Sequence, residues 1–196
     1  MSPVRYMLIN AVLWLPLGFF LWFLLGSVFV LPVGKLAGWM AHLALPEVFN
    51  EVVQSGKLLE FDTLLDATTA TGGRKAVFVL SVNPMVYGYG IPLLLALVMS
   101  TPLTVRQRLV QLAVGWTLVL VTQAYGVFAE LLKDLAFRMG PDGKAALAGT
   151  LFQHVDLVAL MYQTGYLILP GLVPIAYWVV ANRNFVERIV NRTPVE

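Results

Sequence analysis

Few side chains in this sequence could do chemistry, and most lie near the ends of long apolar runs. Glu130 precedes Asp134 by about one helical turn with Lys133 between them, so a carboxylate there could hold a proton or pair with its neighbours. Gln123 lies seven residues before Glu130 on the same helical face, and Gln111, Thr122 and Tyr125 add further polar groups. A second belt is Tyr162, Gln163, Thr164 and Tyr166. The densest local pattern is Asn83-Pro84-Met85-Val86-Tyr87-Gly88-Tyr89-Gly90-Ile91-Pro92, whose glycines and prolines permit bends and whose Asn and Tyr groups can satisfy freed backbone. It reads as a strand-to-helix junction. A ligand pocket would need such groups to converge, but hydrogen bonding between membrane helices needs them equally and is the preferred reading. The candidate interaction or structural cluster is Asn83, Tyr87, Tyr89, Gln123, Glu130, Gln163 and Tyr166, with Gln123, Glu130 and residues 162–166 expected to be mutually hydrogen-bonded.

Whole reaction classes are excluded. Cysteine is absent, so no thiol nucleophile, disulfide or thiolate-held metal exists here. His42 and His154 are far apart and lack the i, i+4 partner of a helical metal site. No glycine-rich phosphate cradle, no basic patch for nucleic acid and no charge in the middle of an apolar run is present. A protein that is not an enzyme, without cofactor, metal or nucleic-acid partner, is the expectation.

These groups sit on elements that must lie in lipid. Of 196 residues 59% are hydrophobic and 12% charged, with a mean hydropathy of +0.78. Such a chain is an integral membrane protein surrounded by membrane lipids. No charge falls between Arg5 and Lys35, which gives a first span, read as an uncleaved anchor and kinked at Pro16 or Pro32. Further spans are expected at 84–104, 109–129 and 157–182, the last interrupted by Pro170 and Pro174. Arg5, Arg106, Arg108, Arg183, Arg188 and Arg192 collect on one side of this arrangement against only Glu187 and Glu196. Both termini are therefore expected in the cytoplasm of a bacterial inner-membrane protein.

The fold class expected is an all-α membrane protein, a four-helix transmembrane bundle with a small extracytoplasmic cap containing a β-hairpin. It forms one polytopic domain over 1–196, with a cap insertion at 35–83 and a second external loop at 130–156. In residues 36–53, Trp39, Leu43, Val48 and Val52 lie among His42, Glu47, Asn50 and Glu51, which suggests an interfacial helix pair broken at Pro46. Runs 58–65 and 75–82, joined by a stretch ending in Gly72 and Gly73, suggest the hairpin. It would rest on the helices through Val77, Phe78, Val79 and Leu80. The third helix should continue through Glu130, Leu131, Asp134, Leu135 and Arg138 until Gly140-Pro141-Asp142-Gly143 breaks it, with a new helix over 144–156.

Over nearly its full length the chain resembles the exosortase H-associated membrane proteins of Gram-negative bacteria. The resemblance rests on Trp14-Leu15-Pro16, on Val82-Asn83-Pro84 with Tyr87, Tyr89-Gly90 and Pro92, and on Gln123-Ala124-Tyr125-Gly126 leading to Leu131-Leu132-Lys133. Tyr162-Gln163, Gly165-Tyr166, Pro170 and Asn182-Arg183 complete it. It implies an accessory role beside an exosortase or another membrane protein; exosortases are membrane transpeptidase-like enzymes that process proteins bearing a C-terminal sorting signal. It carries over no catalytic residue, and a chain without cysteine cannot itself be an exosortase, whose nucleophile is a cysteine. The alternative is a small-molecule or lipid-handling membrane protein with a pocket lined by Gln123, Glu130 and Tyr166.

Overall fold

No charge interrupts the chain between Arg5 and Lys35, yet two helices occupy this run in the computed structural model, which describes residues 3–66 and 77–190. Helix α1 is Pro3–Leu24 and α2 is Gly26–Ala44, with Leu25 at φ −90° and ψ 14° between them. The break does not fall at Pro16 or Pro32, both of which lie inside a helix. Its cause is packing. A Cβ on Gly26 would lie 3.0 Å from the side chains of both Lys57 and Met85, and the Ser27 carbonyl accepts a hydrogen bond of 2.8 Å from Gln54 Nε2. A Gly-Ser pair is a common place for a helix to bend, and here a turn of the sheet is seated against it.

Helix α2 runs on to Ala44 and buries Val30, Val33, Ala37 and Ala41. The chain then forms strands β1, Phe49–Ser55, β2, Leu58–Asp66, and β3, Val77–Val82, as an antiparallel sheet in the order β1-β2-β3. The interfacial helix pair expected over 36–53 is thus corrected: its first half belongs to α2 and its second half is a strand. Val52 and Val53 are β-branched, and pairing with Phe61 and Glu60 outweighs a spacing that also suited a helix. The expected hairpin is present as β2 and β3, with β1 added. Its connection with Gly72 and Gly73, and Lys75 at the start of the second run, lie outside the described residues. Phe78 and Leu80 pack on the core while Val77 and Val79 are exposed, so only alternate residues of the apolar run rest on the helices.

A 3-10 turn at Pro84–Tyr87 leads into α3, Gly90–Met99. With 10 residues, α3 is shorter than the expected span at 84–104, and its length of about 15 Å falls short of the hydrocarbon thickness of about 30 Å. Pro92 leaves it unbroken because it lies in the first turn, where backbone N–H groups lack intrahelical acceptors. Helix α4, Val105–Phe137, opens on a capping box between Thr104 and Gln107 and continues for 33 residues, about 50 Å. It is largely exposed in its first half and buried in its second.

Helix α5, Gly140–Leu147, carries Pro141 in its first turn, and Gly149 at φ +75° follows it. Helix α4 ends, as expected, before Gly140, which stands at φ +62°, but the expected helix over 144–156 is corrected: the new helix starts at Gly140-Pro141, and Gly149, in the left-handed region, leads out of it. A 3-10 turn at Leu151–Gln153 precedes α6, Val155–Gln163. A π-turn at Thr164–Ile168 joins α6 to α7, Leu169–Ala181, and α8, Arg183–Val190, closes the described chain.

The larger core joins α2, the sheet, the second half of α4, α5 and α6, with Val33, Phe61, Leu131 and Leu135 fully buried. A smaller one holds Leu94, Val98, Trp178 and Phe185. Among the described residues four helical stretches are by length and composition apolar enough to cross a membrane, at Arg5–Leu24, Gly26–Ala44, Val105–Phe137 and Val155–Ala181. The fold is that of a helical membrane protein with a small three-stranded sheet.

Candidate functional site

The junction at Asn83 is built locally. Asn83 Oδ1 accepts the Met85 backbone N–H at 3.1 Å, which caps the 3-10 turn, and Pro84 presets its first residue. This turn lays the Tyr87 ring on α4 at Gly126, where a Cβ would come within 2.6 Å of Tyr87 Cγ. Gly126 in turn faces Gly165, where a Cβ would lie 3.1 Å from Gly126 Cα. Two glycines therefore let α4 and the π-turn approach closely enough to hold Tyr87 between them.

The Tyr87 hydroxyl donates to Glu130 Oε2 at 2.7 Å. Glu130 Oε1 lies 3.4 Å from Lys133 Nζ, which also reaches Asp134 Oδ1 at 3.1 Å. Asp134 is buried and takes a second cation, Arg138, at 3.4 Å. Lys133 Nζ stands 4.6 Å from the Tyr162 ring centroid, Tyr162 stacks on Tyr166 at 5.7 Å, and Tyr166 meets the Tyr87 ring edge-on at 6.1 Å. The contacts close on themselves: Tyr87, Glu130, Lys133, Tyr162, Tyr166 and back to Tyr87. Each carboxylate oxygen of Glu130 has a donor, and its charge is matched by the ammonium beside it, so the group is held as part of a clasp.

Gln123 is buried but belongs to a different contact. Its Nε2 donates to the Pro84 carbonyl at 2.8 Å, and a Cβ on Gly88 would come 2.6 Å from the same nitrogen. The expected mutual hydrogen bonding of Gln123, Glu130 and residues 162–166 is corrected. Gln123 and Glu130 each grip the Pro84–Tyr87 turn instead, and the tyrosines join through their ring faces. Tyr89 packs its ring near Gly171, where a Cβ would stand 3.7 Å from its hydroxyl, and Gln163 is exposed. His42 and His154 are both exposed. Among the described residues no three His, Cys, Asp or Glu side chains are grouped to hold a metal ion.

A second polar assembly, at the end of the molecule away from the sheet, was not foreseen. Trp178 Nε1 donates to Thr101 Oγ1 at 2.9 Å, and Gln111 and Asn182 exchange two amide hydrogen bonds of 2.9 and 3.0 Å. Arg108 Nη2 reaches the Thr101 carbonyl at 3.4 Å. Gln111 stood out in the sequence as a polar residue in an apolar helix, but its partner is 71 residues away.

No curated protein and no solved structure matches the chain. The family described as exosortase H-associated membrane protein matches residues 1–185, a stretch that holds both polar assemblies, and the chain belongs to that family.

Proposed function

We propose that this chain is a non-catalytic accessory protein working beside an exosortase in the bacterial inner membrane. The observation that carries the reading is the closed clasp. Tyr87, Glu130, Lys133 and Asp134, the groups most able to bind or activate a substrate, are engaged with one another. The absence of cysteine agrees with an assisting rather than a catalysing role.

Topology in this reading follows from the sheet. A sheet with open edges leaves backbone groups unpaired and is not tolerated in hydrocarbon. Gly34 and Gly38 of α2 are packed against Leu59 and Val52 of that sheet, with a Cβ at either reaching within 2.7 and 2.8 Å. The second half of α2 accordingly stands outside the lipid, beside the last third of α4. The crossing segments are α1, residues 84–104, in which the 3-10 turn at Pro84–Tyr87 and the turn after Met99 extend the short α3, the first two-thirds of α4, and α6 with α7. Arg5, Arg106, Arg108, Arg183 and Arg188 lie at their cytoplasmic ends, so both termini are cytoplasmic. Residues 35–83 form the external cap of a single polytopic domain and 130–156 its second loop.

The test is deletion of the protein in a host that keeps its exosortase, followed by measurement of sorting-signal processing and exosortase abundance. Loss of either supports the accessory role. Unchanged processing with unchanged enzyme moves the small-molecule or lipid-handling reading to first place. That reading would rest on an apolar recess of about 250 Å³ among α1, α2, α3 and α4, lined by Trp22, Phe29, Ile91, Leu95, Leu112 and Trp116 and not by Gln123, Glu130 or Tyr166.

A further inference from the structure

The end of the molecule away from the sheet carries Arg106, Arg108, Arg183 and Arg188, none of which forms an ion pair among the described residues. The turn between α3 and α4 and the turn between α7 and α8 are pinned together there by Trp178 on Thr101 and by Gln111 on Asn182. Phe185 folds α8 onto the small core beside Trp178, their rings meeting edge-on at 6.5 Å. Between the two turns lies a recess of about 330 Å³ lined by Thr101, Gln107, Asn182, Arg183, Asn184 and Arg188 among others. Among the described residues no Asp or Glu lines it, and Glu187 of α8 is exposed outside the lining. A recess of about 610 Å³ adjoins it, sharing Gln107 and Ala181, and continues past Val110 and Tyr177 between α4 and α7.

Two guanidinium groups with amide donors beside them, and no carboxylate among the described lining residues, suit an anion rich in acceptor oxygens, and phosphate above all. The adjoining recess carries Thr104, Arg106 and Gln107 at the start of α4 and then Val110, Gln111, Tyr177 and Ala181 between α4 and α7, so a headgroup suits its polar mouth and hydrocarbon the strip along Val110 and Tyr177. Helix α8 fits the same boundary: Val186 and Ile189 turn with Phe185 towards the small core, while Arg183, Asn184 and Arg188 are exposed. An amphipathic helix of this kind lies along the lipid headgroups. The geometry points to a binding site for an anionic phospholipid, its phosphodiester held between Arg183 and Arg188 with Gln107 and Asn184 as donors, and one acyl chain laid along Val110 and Tyr177. A free phosphate ion would satisfy the arginines but leave the second recess unfilled. The inference is independent of the proposed partner, because it concerns how the bundle is held at one face of the bilayer.

The full chain in detergent, exposed in turn to phosphatidylglycerol, phosphatidylcholine and inorganic phosphate, provides the test by native mass spectrometry and thermal unfolding. Phosphatidylglycerol is expected to remain bound and to raise Tm, whereas phosphatidylcholine and phosphate at equal concentration do neither. The double variant Arg183→Gln/Arg188→Gln should lower phosphatidylglycerol retention by about tenfold or more. Lys144→Gln, which removes one charge on α5, should leave retention unchanged. Because α8 packs through Phe185 and not through its arginines, the double variant should keep its helical signal; Arg183→Lys/Arg188→Lys, which keeps charge without the planar fork, should retain an intermediate amount. Equal retention of phosphatidylcholine, or wild-type retention by the glutamine pair, would overturn the site. A phosphate-induced shift as large as that of the lipid would overturn its assignment to a phospholipid.

Discussion

Tyr87 and Glu130 are 43 residues apart, and their 2.7 Å hydrogen bond decides how the clasp responds to substitution. Tyr87→Phe removes a donor to a charged acceptor and is expected to cost about 1.5–3 kcal/mol, read as a lowered unfolding midpoint in detergent. Glu130→Gln should keep fold and abundance, since its amide oxygen still accepts from Tyr87 and Lys133 retains Asp134. A properly folded Glu130→Gln protein that fails in the cell would give the carboxylate a ligand or proton role. Gly126→Ala forces a methyl group into the Tyr87 ring, and overpacking of this kind is expected to cost about 1–3 kcal/mol. The local half of this cluster was legible: Lys133 follows Glu130 by three residues, as ion pairs on a helix require. The other half was not, because nothing in a spacing rule says which distant tyrosine a glycine will admit.

Helices α1 and α2 illustrate the same division between local and distant causes. Composition alone indicates an apolar run from residue 6, but where it breaks depends on Gln54 and Lys57 meeting it from a strand turn. Strand β1 was missed because Val48 and Val52 suit a helical face as well as a strand; its partner β2 resolves the ambiguity. The last span is legible in outline, since Pro170 and Pro174 announce an irregular helix, and a π-turn with Leu169 N–H bonded to the Thr164 carbonyl precedes the first of them. Pro174 cannot donate to the Pro170 carbonyl, which instead faces Gly90, where a Cβ would come within 2.5 Å. A backbone oxygen cannot swing aside, so Gly90→Ala should lower the midpoint more than Ala substitution at the open, positive-φ Gly56. Between α4 and α7 a double-mutant cycle on Gln111→Ala and Asn182→Ala should return a coupling of about 0.5–2 kcal/mol.

For the assembled molecule, reporter fusions at Gly72 and Gly143 should both read as external. If α2 crossed the bilayer as a span of its own, the Gly72 fusion would report from the cytoplasm, so that one reading separates the two topologies. The turn that seats on α1 carries a mechanical meaning as well. Gln54 Nε2 bonds both Ser27 and Gly56, Lys57 Nζ stands 3.4 Å from the Phe23 ring centroid, and both contacts lie where α1 ends. The turn is a collar on a rod. If α1 slid further into the bilayer, it would drag an ammonium group and the unpaired edges of a sheet into hydrocarbon, which neither tolerates. A membrane thicker or thinner than this helix must therefore be met by tilt or by deformation of the surrounding lipid, with the depth of the protein held constant.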